Sequence, residues 1–314
     1  MIAARELTKR FGGRTAISAV SLDVAAGETV GFLGPNGAGK TTTLRILAGI
    51  FPPTAGSVRI GDADLGREPL RARASIGYLP ERPALYGEMT VTALLRFVVA
   101  LRGTRDGTTP ERAAAAALER TRLGELANRR IHTLSKGMRQ RVALAAAIVG
   151  DPPVLLLDEP TAGLDPTERT AARSLIRDLA PRRAVLLSSH LLEDVSTLCD
   201  RVIVLHRGRV IASDRPEKLA TRLVARSPID VVAHAPSVEL ATVLARVPGV
   251  RRVTAADDEG PAARCRVIAM PGHDVRPAVA AAVVEHGWPL LTLARAEPSL
   301  EEIFLDLVER GGEG

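Results

Sequence analysis

The stretch that most constrains the fold is a glycine-rich segment near the N-terminus, Gly34-Pro35-Asn36-Gly37-Ala38-Gly39-Lys40-Thr41-Thr42. An apolar run at 29–33 precedes it, and residues 43–49 carry apolar side chains at helical spacing. A strand, a glycine loop and a helix in this order predict a phosphate-binding loop, because glycines let backbone N–H groups surround a polyphosphate. The helix dipole and Lys40 add positive charge, and the Thr41 hydroxyl is a candidate Mg²⁺ ligand. A glycine turn that binds nothing is the alternative, which the complete Gly-x-x-x-x-Gly-Lys-Thr pattern disfavours.

Two carboxylates, Asp158 and Glu159, follow an apolar run at 154–157 that is typical of a central parallel strand. Such a strand ends at the sheet edge where a phosphate loop can also lie. Hydrolysis of a phosphoanhydride needs a phosphate cradle, a metal, an oriented water and charge stabilisation. We therefore expect Asp158 to hold Mg²⁺ through water and Glu159 to polarise the attacking water. A helix-capping acidic pair is the alternative, which the loop at 34–42 disfavours.

His190 follows the next apolar run and can face the same sheet edge. A lone histidine is usually a packing residue, but an imidazole at this position can hydrogen-bond the γ-phosphate and hold the water. Ser135 and Gly137 begin a strongly helical run and offer a hydroxyl and a backbone N–H, which together predict a second anion site. If both anion sites bind one ATP, the complete site requires two chains.

The hydrophobic patterns predict an α/β nucleotide-binding domain over residues 1–222, with a helical subdomain over about 82–150. Phe11 lies beside a turn between the first two strands, where its ring can either stack on a base or pack in the core. Helices of the subdomain are expected over 92–100, 110–123 and 135–149. Strands of the domain are expected over 2–8, 18–24, 29–33, 56–61, 76–81, 154–159, 184–190, 201–205 and 210–212.

The composition changes near 222–228, and a second domain is predicted over 223–314. Its order of strand, helix, strand, strand, helix and strand suggests a small ferredoxin-like α+β domain without a phosphate loop or metal spacing. A closing helix is expected from the capping box Ser299-Leu300-Glu301-Glu302, with an apolar face that packs in the core or docks a partner. The six elements are expected over 229–234, 237–246, 250–256, 264–270, 274–286 and 289–295.

Charge and cysteine content limit the location and partners of the chain. Basic residues number 42 against 36 acidic ones, a formal charge of +6, which weakly favours an anionic partner but fits a solvated surface at least as well. Cys199 and Cys265 provide neither a disulfide framework nor a metal site, as in a reducing cytosol. The sequence shows no signal-peptide pattern and no apolar run of the roughly 20 residues that span a bilayer. We expect a soluble chain that works at a membrane only through another polypeptide.

Together, these motifs resemble the ATPase subunits of ABC transporters. The resemblance covers residues 1–220 and implies head-to-tail dimers that sandwich two ATP molecules with Mg²⁺. It implies that Ser135 and Gly137 act on the nucleotide of the partner chain, that Asp165 lies at the dimer seam and that Phe11 stacks on adenine. Four motifs in family order carry it: the loop at 34–42, Leu134-Ser135-Lys136-Gly137-Met138-Arg139-Gln140, Leu157-Asp158-Glu159-Pro160-Thr161-Ala162-Gly163-Leu164-Asp165, and His190.

Two motifs depart from the usual family pattern. The signature is usually Leu-Ser-Gly-Gly-Gln, whereas Lys136 and Met138 stand here in place of a glycine and the glutamine. Glu81 replaces the usual glutamine after the strand at 76–80; a carboxylate can also bind Mg²⁺ but adds charge at the step that couples transport to hydrolysis. These features and the closing segment Pro298-Ser299-Leu300-Glu301-Glu302-Ile303-Phe304 resemble the subfamily that energises ABC-2-type permeases, mostly exporters of drugs, lipids, polysaccharides or ions.

The resemblance implies an ATP-hydrolysing subunit that pairs with a second ATPase subunit and drives a separately encoded integral membrane permease at the cytoplasmic face of the membrane. No nucleic acid partner is expected. A soluble ABC ATPase that acts on ribosomes, DNA or cofactor assembly is the alternative; such proteins usually carry two nucleotide domains, coiled coils or zinc modules, which this sequence lacks. A nucleotide-binding regulator without catalysis is disfavoured, because the sequence contains Lys40, Asp158, Glu159 and His190.

Overall fold

The computed structural model describes residues 1–104, 107–218, 228–255, 262–270 and 272–295. The chain divides into two compact units, Met1–Pro216 and a second unit that begins at Glu217. The predicted boundary at residue 222 and the closing helix predicted from Ser299 lie outside the described residues. The two units are therefore described separately.

The first unit combines strands and helices in the alternation typical of an α/β domain. Its strands are β1 (Ile2–Phe11), β2 (Arg14–Val24), β3 (Thr29–Leu33), β4 (Ala55–Ile60), β5 (Ala63–Asp64), β6 (Ile76–Leu79), β7 (Val154–Asp158), β8 (Ala184–Ser188), β9 (Arg201–His206) and β10 (Arg209–Asp214). Its helices are α1 (Lys40–Leu47), α2 (Pro69–Ala74), α3 (Val91–Arg102), α4 (Pro110–Arg120), α5 (Lys136–Ile148), α6 (Pro166–Leu179) and α7 (Leu192–Leu198).

A central sheet of order β10-β9-β3-β8-β7-β6 positions the predicted site. Its neighbouring strands run parallel except for the antiparallel pair of β9 and β10. Every residue of β3, β7 and β8 is buried, as expected for continuous apolar strands of a parallel sheet. Because parallel strands end at the same edge, the segments that follow β3, β7 and β8 converge there.

A second, antiparallel sheet has the order β2-β1-β4-β5. A two-residue turn joins β1 to β2, and Gly12 in this turn has a φ of 56°, which glycine adopts without steric cost. Apolar residues on β1 and β2, including Leu7 and Val20, belong to the same buried cluster as Leu44 and Leu47 of α1. This cluster anchors the helix that follows the glycine loop.

The helical subdomain consists of α3, α4 and α5, each of which begins at a hydroxyl cap. Thr90, Thr109 and Ser135 accept hydrogen bonds from backbone N–H groups of the first turns, at 3.2, 3.4 and 3.2 Å. Arg102, the last residue of α3, is bound to the C-terminal end of α5. Its guanidinium donates to the carbonyl oxygens of Ala146, Ala147 and Val149 at 2.9–3.2 Å.

The second unit has the predicted order of elements: β11 (Ile229–Ala233), α8 (Ser237–Ala245), β12 (Val250–Ala255), β13 (Ala263–Ala269), α9 (Arg276–Glu285) and β14 (Leu290–Arg295). Its four strands form an antiparallel sheet of order β12-β13-β11-β14. Alternate residues of β11 and β13 are buried, and they share a core with apolar residues of α8 and α9.

Four elements were not predicted from the sequence: the short β5, α2 and α7, and the 14-residue helix α6. The predicted helix at 110–123 ends earlier, at Arg120, because Leu123 leads into a 3₁₀ turn, Gly124–Leu126. Cys265 is buried and Cys199 is half-buried, and no disulfide joins cysteines within the described residues. Within the described ranges, no helix is both long and apolar enough to cross a membrane.

Candidate active site

The glycine loop joins β3 to α1 and requires glycine at two positions for steric reasons. Gly34 and Gly39 have φ values of 153° and 109°, which other residues rarely adopt. A Cβ atom on Gly39 would lie 2.6 Å from Ile17 Cγ2, and one on Gly34 would overlap the carbonyl of Leu205. The loop is therefore held against β2 and β9, and it starts α1 at Lys40.

Lys40 is buried at the start of α1, with only 6% of its surface exposed. Its Nζ donates to the carbonyl oxygen of Gly34 at 2.6 Å and lies 3.9 Å from Glu159 Oε1. Burial lowers the pKa of the Lys40 ammonium and outweighs the opposing charges of Glu159, Asp158 and Glu81. The structure thus brings the predicted phosphate-binding lysine within ion-pair distance of the predicted base.

Asp158 ends β7 in a fully buried position beside the glycine loop. Its Oδ1 accepts hydrogen bonds from Ser188 Oγ at 2.6 Å and Thr41 Oγ1 at 3.1 Å. Its Oδ2 is buried without a hydrogen-bond partner among the described residues. Burial raises the pKa of Asp158, and the charge of Glu81 adds to this, while the hydrogen bonds from Ser188 and Thr41 lower it.

The oxygen atoms of Asp158 and Thr41 are suited to bind a magnesium ion together with nucleotide phosphates. No group of three or more His, Cys, Asp or Glu side chains in the described ranges could hold a metal ion alone. Mg²⁺ is commonly bound through one or two carboxylates together with phosphates of the substrate. Asp158 Oδ2, which has no hydrogen-bond partner among the described residues, and the adjacent Thr41 hydroxyl are oxygen donors of the required kind.

Glu159 and His190 are hydrogen-bonded to each other at the carboxyl edge of the sheet. His190 Nδ1 lies 2.7 Å from Glu159 Oε2. Glu159 has a φ of 51°, which costs a non-glycine residue about 1 kcal/mol or more. Its N–H donates to the hydroxyl and to the carbonyl oxygen of Ser188, at 3.0 and 3.2 Å, and these bonds hold the strained backbone. The Glu159 side chain is buried, while about half of the His190 side chain is exposed.

Phe11 and Glu81 are both exposed. The Phe11 ring is 46% exposed, meets Phe51 edge-on at 5.6 Å and has Lys9 Nζ 5.1 Å from its centre. An exposed aromatic face beside a cation can accept a stacked base. Glu81 is exposed, and its side chain makes no hydrogen bond or ion pair with any described residue. It acts on the site through its charge, which raises the pKa of Asp158.

Ser135 and Gly137 lie at the start of α5, Ser135 as its N-cap and Gly137 in its first turn. No hydrogen bond within the described part of the chain joins either residue to residues 34–42. Gly137 packs so closely against the Glu168 carboxylate that a Cβ would overlap it. Asp165 is the exposed N-cap of α6 and accepts a hydrogen bond from the Glu168 N–H at 2.8 Å.

The sequence did not predict the contacts of two site residues, Ser188 and Gln140. Ser188 bonds to both Asp158 and the Glu159 backbone, because the parallel register of β7 and β8 sets Asp158 opposite Ser188. A small hydroxyl at the end of an apolar strand was the available signal. Gln140 donates from Nε2 to the carbonyl oxygen of Pro160 at 3.0 Å, which ties α5 to the segment after Glu159.

A glycine loop that opens onto a buried lysine, with strand-end carboxylates beside it, defines a P-loop nucleoside triphosphatase. The family model described as ABC transporter matches residues 17–162. Together with the relatives below, this match shows that the chain belongs to the ABC transporter family, as an ATP-binding protein.

Two relatives align with nearly the whole chain. The linearmycin resistance ATP-binding protein LnrL of Bacillus subtilis is 32% identical over 311 residues, which are 99% of this chain and 99% of that protein. The Nod factor export ATP-binding protein I of Ralstonia nicotianae is 33% identical over 308 residues, 97% of this chain and 92% of that protein. Both are named as ATP-binding proteins, the first for linearmycin resistance and the second for Nod factor export.

Solved structures are similar to the nucleotide-binding part of the chain. An ATP-binding subunit of an ABC transporter superposes with a TM-score of 0.64 at 30% identity, over 71% of this chain and 93% of that one. A dimeric ATP-binding cassette in a post-hydrolysis state, bound to ADP and Pi, gives 0.62 at 27% identity, over 69% and 99%. This chain is thus an ATPase and the ATP-binding subunit of an ABC transporter, a class that dimerises and works with membrane permeases.

Proposed function

We propose that this chain powers a separately encoded ABC-2-type permease that exports its substrate, a drug, lipid, polysaccharide or ion. The observation that carries the proposal is the alignment of 99% of the chain with a linearmycin resistance ATP-binding protein and of 97% with a Nod factor export ATP-binding protein. These alignments include the second unit as well as the nucleotide-binding part. The chain would therefore act at the cytoplasmic face of the membrane, attached to the permease.

In the proposed site, the ATP phosphates lie in the loop Gly34–Thr42, and Lys40 contacts the β- and γ-phosphates. Thr41, Asp158 and Glu81 would hold Mg²⁺ beside these phosphates. When bound, the ion neutralises phosphate charge. The buried Oδ2 of Asp158, which has no partner among the described residues, is the support for this assignment.

Glu159 is proposed as the general base. Its carboxylate accepts a proton from the water whose oxygen forms the new bond to the γ-phosphorus, while the bond from that phosphorus to the ADP oxygen breaks. His190 holds Glu159 through the 2.7 Å contact of its Nδ1. Its exposed side chain leaves Nε2 available to donate to a γ-phosphate oxygen when the ring is protonated.

A second copy of the chain would complete each ATP site. Ser135 and Gly137 at the start of α5 would bind the γ-phosphate held by Lys40 of the partner chain, with Asp165 at the seam. No hydrogen bond among the described residues joins them to the loop of their own chain, which is consistent with this arrangement. Phe11 is proposed to stack on the adenine.

The catalytic assignment is tested with two variants. Glu159→Gln should keep ATP binding, lower turnover by roughly 100-fold or more as expected for loss of a general base, and trap an ATP-bound dimer. Near-normal turnover of Glu159→Gln would show that Glu159 is not the general base. Lys40→Ala should lose nucleotide binding itself, and an unchanged ATP affinity would contradict the assignment of the loop.

The transport partner is tested by affinity purification of the tagged Glu159→Gln chain from detergent-solubilised membranes with ATP, followed by mass spectrometry. Recovery of a polytopic membrane protein in near-stoichiometric amount is the expected result. Recovery of ribosomal or assembly proteins instead would support a soluble ABC ATPase and overturn the exporter assignment. A Lys40→Ala chain, treated in parallel, controls for partners that do not depend on nucleotide.

We also propose that the second unit belongs to the ferredoxin-like class. Its antiparallel sheet of order β12-β13-β11-β14 and its alternation of strands and helices support this. A crystal structure with a different strand order would contradict it.

A further inference from the structure

A buried carboxylate lies behind the predicted catalytic pair and takes no part in the mechanism above. Asp194, in α7, is 1% exposed. Its Oδ2 accepts hydrogen bonds from Thr161 Oγ1 and, at 3.0 Å, from Ser189 Oγ. Its Oδ1 accepts one from Arg173 Nε at 2.7 Å. A buried charge of this kind is stable only when it is paired and fully hydrogen-bonded, and Asp194 meets both conditions.

The partners of Asp194 come from the two segments that carry Glu159 and His190. Thr161 is two residues after Glu159, and Ser189 is directly before His190. Both hydroxyl groups are buried, and both donate to the same carboxylate oxygen. Asp194 therefore connects, by one hydrogen bond on each side, the two chain segments that follow β7 and β8.

Arg173 fixes the carboxylate from the opposite side. Its guanidinium, which is 10% exposed, donates to Asp194 and also to both carboxylate oxygens of Glu193 at 2.7 and 3.0 Å. Because Arg173 belongs to α6 and Asp194 to α7, this ion pair joins the two helices and fixes the position of Asp194 relative to α6. The planar guanidinium makes this geometry directional.

We propose that Asp194 is a positioning residue that holds the Glu159–His190 hydrogen bond in its working geometry, an inference that rests on the role proposed above for Glu159. Strands β7 and β8 keep the two segments in register only as far as Asp158 and Ser188. Beyond this point the left-handed backbone of Glu159 turns the chain away, and the Thr161–Asp194–Ser189 bonds connect the two segments in addition to the hydrogen bonds that Glu159 makes with Ser188 and His190. A displacement of about 1 Å of a reacting group can cost 100-fold in rate, so this connection bears on turnover.

The principal test compares Asp194→Asn with wild type in two backgrounds, the native chain and Glu159→Gln. In the native background, kcat should fall by about 10-fold or more while affinity for a fluorescent ATP analogue stays within about 2-fold. If Asp194 acts through Glu159, the same change in Glu159→Gln should alter the residual turnover by less than about 2-fold, because the effects of coupled residues are not additive. Asp178→Asn removes an exposed carboxylate from α6 and is the control. It should leave turnover unchanged when it is added to the native chain and when it is added to Glu159→Gln.

The outcomes separate the two proposals. If Glu159→Gln alone retains near-normal turnover, the role of Glu159 fails. If Glu159→Gln loses turnover but Asp194→Asn lowers kcat equally in both backgrounds, the effects are additive and the positioning role fails while the role of Glu159 stands. A fall in ATP affinity that accounts for the whole loss of kcat/KM would also overturn the positioning role.

A milder pair of variants keeps the test decisive if Asp194→Asn does not fold. Thr161→Val replaces the hydroxyl with a methyl group of similar size. It should lower kcat by about 3-fold or more, as expected for the loss of one hydrogen bond to a charged group. Thr161→Ser keeps the hydroxyl and should recover most of the turnover. Equal turnover of the folded Val and Ser variants and wild type would overturn the inference.

Discussion

Asp158 is expected to reduce the stability of the nucleotide-free chain even though it serves the site. Its carboxylate is fully buried, and burial raises its pKa despite the hydrogen bonds from Ser188 and Thr41. A raised carboxyl pKa means that the folded state binds this proton more tightly than the unfolded state, so stability falls as pH rises through the raised pKa. We therefore expect Asp158→Asn to stabilise the metal-free chain at mildly alkaline pH while it abolishes ATP turnover.

The magnitude of this gain follows from the burial of the Asp158 charge and from Oδ2, for which the described part of the chain offers no hydrogen-bond donor. A buried acceptor without a partner costs about 1–3 kcal/mol, and a tenfold difference in proton affinity corresponds to about 1.4 kcal/mol. Asparagine keeps an oxygen for Ser188 and Thr41 but places its amide nitrogen where Oδ2 lies, so only the charge-dependent part is regained. A gain of about 1 kcal/mol should raise the Tm of the first unit by about 2–4 °C.

Scanning calorimetry with EDTA over a pH series, from mildly alkaline pH down through the raised pKa of Asp158, would measure this effect. The transition that ATP and Mg²⁺ shift in the wild-type chain identifies the first unit, since ligand binding stabilises only the folded state. The gain should shrink as the pH falls through the raised pKa of Asp158, because protonation of Asp158 in the wild-type chain removes the same charge. Asp178→Asn is the control and should leave this transition unchanged. A Tm for Asp158→Asn at or below the wild-type value at alkaline pH would refute the reasoning.

Three further predictions concern single side chains. Phe11→Ala should weaken ATP affinity by about 5- to 100-fold, as expected for the loss of one stacked base, while Phe11→Trp retains it; equal affinities in nucleotide titrations would exclude stacking. Arg102→Met should destabilise the first unit by about 2–4 kcal/mol in urea unfolding, because it leaves three carbonyl groups at the end of α5 without their donor; a change below about 0.5 kcal/mol would contradict this. Glu81→Gln removes a charge that raises the pKa of Asp158, so the acid limb of the ATPase pH profile should move to lower pH, and less so at high salt; a shift to higher pH would contradict it.

The elements that carry the site could be predicted because each has a local signal. The run at 29–33 is apolar throughout, and the glycines after it have no other common role in that context, so strand, loop and helix follow from the sequence. Ser135 was predicted as an N-cap, and the structure confirms it. The predicted proximity of Asp158, Glu159 and Lys40 required only that the strands be parallel.

The remaining contacts depend on which strands are neighbours, and no local pattern specifies that. Ser188 reaches Asp158 because β8 lies between β3 and β7, an order that the sequence does not reveal. The hydrogen bonds of Asp194 require α7, a short helix that lacks a side-chain cap at Leu191 and so gives no start signal. The roles of Phe11, Gly137 and Asp165 toward nucleotide and partner chain stay predictions, since they concern groups outside a single chain.

The strand order has a consequence for how the chain is made. In the central sheet, β3 pairs with β8 and β9. Thr29 can therefore pair only after Val185 has been synthesised, and Val30 can pair with Arg201 only after that residue has been synthesised. A ribosome that adds about 5–20 residues per second needs about 8–30 s to supply these partners. Throughout that interval an apolar strand that is later buried on both faces has no neighbour, which is the condition under which nascent chains associate wrongly.

The glycine loop is also completed late, although it lies early in the sequence. Gly34 is packed against the carbonyl of Leu205, and the N–H of Gly208 bonds to Ala38 at 2.9 Å. A nascent chain can therefore carry every residue from Gly34 to Thr42 for most of its synthesis without a formed phosphate site. Nucleotide can stabilise the growing chain only once the residues near 205 have left the ribosome.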